Sequence, residues 1–256
     1  MAYEPFIDYH TAIARGLPSI TSVHKFGKQT SLSTTVQMVW SRNTAYTYLA
    51  SSSTLIIASD RDTDQTSGAT GALTVEVQGV DQSFNSLTEI VTLKGFTGAS
   101  TTNDFRRVFR VKVLTAGTNG YNNGRITVMP DVAANTFTAA GVPTTTGNVL
   151  AQVDSTTNQT LMCTYTVPTT FTAYLTETEI STHITKNVLI DLYVRPKDGV
   201  FQIKNSWVLN NSSINVDHRI PHKYSAGSDI EFRAKSSSTN GQVSLAFDMF
   251  LVQGNE

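Results

Sequence analysis

The chain has 256 residues, enough to bury a sizeable core as one large or two small domains. Charged residues are only 15% of it, the formal net charge is −1 and the pI is about 6.5, so neither nucleic-acid wrapping nor binding to an anionic membrane has an electrostatic basis. A single cysteine, Cys163, excludes an intramolecular disulfide, and no apolar run approaches the ~18 residues that span a bilayer.

Hydroxyl side chains take the place of charge. Thr occurs 38 times, and a β-branched side chain suits a pleated surface better than a helix. The expected fold is all-β: two antiparallel β-sandwich modules, the second jelly-roll-like, behind an extended N-terminal arm. Met1-Ala2-Tyr3-Glu4-Pro5 lacks the basic-then-apolar pattern of a signal peptide, which points to synthesis in a cytoplasm.

In chain order, residues 1–36 read as the arm. Residues 6–14 have the spacing of one short helix, which Pro18 stops, and the rest is extended. The arm holds too little apolar surface to fold alone, so it either lies on its own domain or is ordered by a neighbouring subunit, and its anchors Phe6, Tyr9, His24 and Phe26 are the predicted attachment residues. A truncation lacking residues 1–30 is therefore expected to fold but to fail to attach.

The first sandwich module is placed at 37–138. Strands at 36–40 and 54–59 lead into a four-stranded meander at 73–79, 87–93, 105–114 and 125–128, joined by Gly- and Asn-rich turns. Leu73, Val75 and Val77 alternate with Thr74, Glu76 and Gln78, the period of a half-buried strand. In the third strand Phe105, Phe109, Val111 and Val113 face the core. Arg106, Arg110 and Lys112 form a basic face, either solvated or turned toward an acidic partner.

A small, polar, punctuated stretch at 139–150 reads as a linker. The second module, 151–256, opens with an expected hairpin, 160–168 with 173–176. Val188, Ile190, Leu192 and Val194 share a face, Pro196-Lys197-Asp198-Gly199 is a turn, and residues 230–234 and 243–251 alternate strictly.

Several runs carry a resemblance: Ser22-Val23-His24-Lys25-Phe26-Gly27, residues 77–81 through 89–95, Phe105-Arg106-Arg107-Val108, Leu114-Thr115-Ala116-Gly117, Gln159-Thr160-Leu161-Met162, Tyr165-Thr166-Val167-Pro168, Leu192-Tyr193-Val194-Arg195-Pro196 and residues 243–252. Through them the chain resembles a family of structural (virion) proteins of tailed, mainly marine, bacteriophages, over most of its length and in order. Lys94-Gly95-Phe96-Thr97 departs from the family's usual Asn-Gly-Thr, in a turn. The resemblance implies a virion component made in the host cytoplasm, a capsid decoration or vertex spike, or a neck or tail component. Its implied partners are other virion proteins (capsid, portal or neck, tail) and further copies of itself. A trimer is favoured by analogy with phage appendages. It implies no enzymatic motif.

The residues themselves offer little catalytic chemistry, and no catalytic residue or cofactor is expected. Asp60, Asp62 and Asp64 have the oxygen chemistry of a calcium loop but lack the spacing, and with Arg61 among them they read as a solvated acidic turn; no metal is expected. His218 and His222 are separated by Pro221, against a metal pair. Cys163 reads as a buried inert thiol. Glu177 and Glu179 mimic a glycosidase pair without a cleft. Trp40, Trp207, Tyr121, Tyr193 and Tyr224 suit core or interface packing, or the platform of a host-recognition module that binds a surface glycan, which is the alternative function.

Overall fold

The computed structural model describes residues 20–67 and 70–254. The chain opens with β1 (Ile20–Leu32) and β2 (Gln37–Met38). Then come β3 (Leu55–Ser59), β4 (Ala72–Val80), β5 (Ser86–Thr92), β6 (Ala99–Ser100), β7 (Arg107–Ala116), β8 (Ile126–Pro130) and β9 (Ala151–Val153). It closes with β10 (Thr164–Thr166), β11 (Phe171–Ser181), β12 (Val188–Arg195), β13 (Gln202–Leu209), β14 (Ser213–Tyr224), β15 (Asp229–Ser236) and β16 (Gly241–Gln253). Every strand pairing is antiparallel, and the one helical element among the described residues is a 3-10 turn, Thr146–Asn148.

Eight of these strands make a sandwich of two four-stranded sheets, ordered β1-β16-β11-β14 and β10-β15-β12-β13, with β2 completing the edge beside β10. Taken in chain order those eight strands follow the double Greek key of a jelly roll. Strict alternation drives its core. Val243, Leu245, Phe247, Met249 and Leu251 of β16 point inward, and so do Val188, Ile190, Leu192 and Val194 of β12. Each such side chain contributes about 1.5–3 kcal/mol of burial.

The first jelly-roll strand is β1, which lies inside the stretch expected to be an extended arm outside the packed modules. Residues 20–32 pair with β16 from Ile20↔Val252 to Leu32↔Gly241, so the arm prediction fails there. The reason it escaped notice is physical. The face of β1 turned inward carries Lys25, Gly27 and Gln29 where an apolar stripe would normally sit. Gly27 is needed there, because a Cβ would stand 2.8 Å from the Cys163 amide nitrogen and 2.6 Å from the Val39 carbonyl oxygen. Phe6 and Tyr9 lie outside the described residues.

Residues 33–163 are therefore an insert between the first and second strands of the jelly roll. Apart from β2, they form a second sandwich, with sheets β6-β3-β8-β9 and β5-β4-β7 closing over Trp40, Leu55, Phe105, Ile126 and Leu150. The expected meander is thus divided. Its first three strands form one sheet, while β8 crosses to the other sheet and pairs with β3 and β9. The expected hairpin is divided too, since β10 and β11 belong to opposite sheets of the jelly roll. The expected linker is also displaced. Val149 and Leu150 are buried and β9 sits in the insert's sheet, so the chain changes cores between Val153 and Thr164.

Candidate functional site

The insert packs along the β1/β10 side of the jelly roll, and the seam between them holds a network of buried charged and polar side chains. Arg107 opens β7 and Asp229 opens β15; both are buried. Arg107 Nε donates to Asp229 Oδ1 at 3.1 Å, and Arg107 Nη1 donates to the Leu49 carbonyl at 2.8 Å. Arg195 donates through Nε to Asp229 Oδ2 at 3.0 Å, and the Thr166 hydroxyl donates to Oδ1 at 2.7 Å. Next to this group Glu231 accepts from the Tyr48 hydroxyl at 2.6 Å and from Arg233 Nε at 2.8 Å. Burial raises the Glu231 carboxyl pKa, against the pull of Arg233. Burial, then the Glu231 charge, raises the Tyr48 phenol well above its usual value, so Tyr48 stays protonated and donates. Arg195 and Arg233 also stack over aromatic rings, Arg195 at 4.3 Å from Tyr48 and Arg233 at 4.3 Å from Tyr193.

Two further contacts tie the seam. Phe84, in the β4–β5 turn of the insert, places its ring in the jelly-roll core and adopts φ +64°, a left-handed backbone that is strained for a bulky residue. The turn is held by Asp81, whose Oδ1 accepts from the Ser83 and Asn85 amides at 2.8 Å each. On the other flank Lys25 of β1 reaches across to donate to the Phe109 carbonyl, and burial lowers its pKa to about 7.

Among the described residues, nothing covers the opposite side of the jelly roll. Its edges are β13 and β14, joined by the turn at 210–212. Three exposed large apolar side chains lie on these two strands: Ile220 of β14 at 84%, and Val208 and Ile203 of β13 at 63% and 54%. Among the described residues, no strand pairs with the outer edge of either.

The predicted site residues scatter around these features. Arg110 and Lys112 are engaged within the chain, Arg110 Nη2 on the His24 carbonyl and Lys112 Nζ on Glu76 at 3.0 Å. Arg106 lies at the seam, its guanidinium 5.0 Å from the centre of the Phe84 ring. The three do not form one partner-facing surface. His24 and Phe26 lie on the outer face of β1, with rings 5.6 Å apart, His24 Nδ1 at 2.5 Å from Asp248 Oδ1, and Phe26 at the rim of a groove of about 460 Å³.

The Asp60–Asp64 turn is not solvated throughout. Asp64 is fully buried and accepts from the Ala72, Asn123 and Gly124 amides at 2.8 Å each and from the Ser59 hydroxyl at 2.6 Å. Four donors occupy its two oxygens, a turn-locking role instead of a metal-ligating one, while Asp60 caps the Arg125 amide. His218 and His222 come together in spite of Pro221, ring centres 4.4 Å apart, because the ladder slips and residues 218–221 face Thr176 alone. Burial, then His222, lowers the His218 pKa. Among the described residues, no three His, Cys, Asp or Glu side chains are grouped to hold a metal ion. Cys163 is buried, and burial raises its pKa. Glu177 accepts from Asn215 at 2.6 Å on an open sheet face.

Neither a protein-family model nor a curated protein matches the chain. Among solved structures it is similar to the "Structure of infectious bursal disease virus Gx strain", at 9% identity and a TM-score of 0.25 over 92% of this chain and 72% of that one. It is also similar to the "Crystal structure of infectious bursal disease virus VP2 subviral particle", at 10% identity and a TM-score of 0.20 over 93% and 73% of the two chains. Scores this low assign no function.

Sequence reasoning missed Arg107. Its position was the signal: an arginine in the odd register between Phe105 and Phe109 must enter the protein, and a buried guanidinium needs an anion. Asp229 and Glu231 gave no such hint, since they alternate with Ile230 and Phe232 as the polar face of a half-buried strand would.

Proposed function

We propose that the chain is a structural component of a tailed-phage virion, in which the jelly roll assembles with other copies and the insert projects from it. One observation carries this reading. The insert covers one side of the jelly roll, and among the described residues the β13 and β14 edges on the other side are unpaired and carry the exposed apolar residues Ile203, Val208 and Ile220. Edges of this kind are templates for association, and symmetric closure would hide both the edges and the apolar patch. The resemblance to phage virion proteins supports the location. The charge pairs at the seam support a scaffolding role, because Asp229 and Glu231 are each bonded to arginine and to a hydroxyl within the chain.

Analytical ultracentrifugation tests the assembly surface. The wild-type protein is expected to self-associate at micromolar concentration, with a trimer favoured, and an Ile203→Lys/Val208→Lys double variant to sediment as a monomer. A monomeric wild type, or unchanged association of the double variant, refutes this surface. For attachment, a protein lacking residues 1–19 is expected to fold and to be excluded from particles. Normal incorporation would refute a role for that segment.

A further inference from the structure

Two cations at the seam make no ion pair among the described residues. Arg106 comes from the insert, and Lys197 comes from the turn between β12 and β13 of the jelly roll. Both sit over one aromatic ring, the Arg106 guanidinium 5.0 Å and the Lys197 ammonium 5.6 Å from the centre of Phe84. The Arg107 guanidinium is a third cation near that ring, at 5.9 Å. Arg107 is neutralised by Asp229. The buried Nε of Arg106 has no hydrogen-bond partner, and neither Arg106 nor Lys197 makes an ion pair among the described residues.

These side chains line a cavity of about 160 Å³. Four cationic side chains (Arg106, Arg107, Arg195 and Lys197) meet two carboxylates on its wall, Asp198 and Asp229, which leaves an excess of positive charge. An adjoining cavity of about 240 Å³ shares Phe84, Lys197 and Gly227 and adds the hydroxyls of Thr169, Thr172 and Ser225. Like charges in excess of the carboxylates beside them repel one another, and a low-dielectric ring beneath them strengthens that repulsion. A strained Phe84 backbone held in place by Asp81 keeps the ring where this crowding occurs.

We infer that the seam is a binding site for a tetrahedral oxyanion, phosphate or sulfate, held between Arg106 of the insert and Lys197 of the jelly roll. The guanidinium supplies a planar pair of donors and the ammonium a point charge, the usual division of work at such anions. The cavity takes one such group together with a few waters, at roughly 30 Å³ per water. The two charges come from the two sandwiches, so the bound anion links them. A free ion and a sulfate ester on a sugar present the same chemistry, and the adjoining hydroxyl-lined cavity is where a sugar would lie.

Calorimetric titration of the full chain with inorganic phosphate, inorganic sulfate and a monosaccharide 6-sulfate, against chloride at matched ionic strength, tests the site. Phosphate and sulfate are expected to bind and to raise the unfolding temperature, whereas chloride should do neither. Tighter binding of the sugar sulfate than of free sulfate assigns the source as an esterified glycan; equal or weaker binding assigns a free ion. Lys197→Gln, an exposed change that leaves the core intact, and Arg106→Gln should each weaken binding by roughly tenfold or more. Absence of binding above chloride, or binding kept in Lys197→Gln, overturns the inference. Because the Lys197 variant leaves β13 and β14 untouched, its association behaviour is unchanged, and this test is separate from that of the assembly surface.

Discussion

Replacing Asp229 by Asn should loosen the insert from the jelly roll before it unfolds either. Asp229 is the shared acceptor of two guanidiniums, one from each sandwich, and its side chain is 3% exposed. The Asn amide keeps one oxygen acceptor but removes the charge, leaving Arg107 buried without a counter-ion. Removing one partner of a buried pair costs about 3–5 kcal/mol, and the retained oxygen puts Asn at the lower end, about 3 kcal/mol. The two tryptophans allow the loss to be localised. Trp40 is in the insert core and Trp207 packs on the jelly-roll core, so Trp40→Phe and Trp207→Phe backgrounds each report one sandwich in a urea titration. In the parent protein the two transitions should coincide, and in Asp229→Asn they should separate, with the lower midpoint falling by the equivalent of about 3 kcal/mol. Adding Arg107→Met should recover part of that loss, since it removes the orphaned charge. A loss under about 1 kcal/mol, or two transitions that stay superimposed, would refute the view that this ion pair fastens the sandwiches.

Three further outcomes follow from single residues. Lys25 titrates at about 7 in the fold and at 10.5 when unfolded, so between those values the unfolded chain binds more protons and the stability contributed by this position rises with pH. The stability difference between wild type and Lys25→Met should therefore shift in favour of wild type by up to roughly 1.4 kcal/mol per pH unit through that window, and a flat difference would exclude a neutral buried lysine. Gly71→Ala would place a Cβ 2.0 Å from Asp64 Oδ1, breaking the turn lock; a loss of about 2–4 kcal/mol is expected by chemical denaturation, and a loss below 0.5 kcal/mol would mean Asp64 is dispensable. Deleting residues 1–30 should abolish the cooperative unfolding transition that deletion of 1–19 preserves, because it removes most of β1 from a sheet in which β1 covers the edge of β16.

The all-β character and the strands of the jelly roll were legible from pattern alone. β12 and β16 are apolar on one parity throughout, and nothing in their surroundings contradicts it. What escaped was set by partners far along the chain. β1 reads as an arm because Lys25 and Gln29 face inward, and their reasons for doing so, the Phe109 carbonyl and the carbonyls of Trp40 and Arg42, lie on other elements. β8 reads as the fourth strand of a meander because local turns do not reveal which sheet a strand will join. Of the predicted site residues, Arg106 survives as part of a proposed site. Asp64 changes role, since only tertiary structure brings the Asn123 and Gly124 amides to it.

The position of the insert also dictates an order of events during synthesis. β1 emerges early, yet its sheet partner β16 begins about 200 residues later, a wait of roughly 10–40 s at ordinary translation rates. The insert, whose core is complete once Met162 has emerged, has time to form within that interval. Throughout it the nascent β1 is a long unpaired strand, the kind of segment that other ribosome-bound copies could capture. Lys25, Lys28 and Gln29 blunt that hazard, since a strand with charge on both faces makes a poor aggregation template. The buried lysine, costly in the finished protein, protects the chain while it is still incomplete.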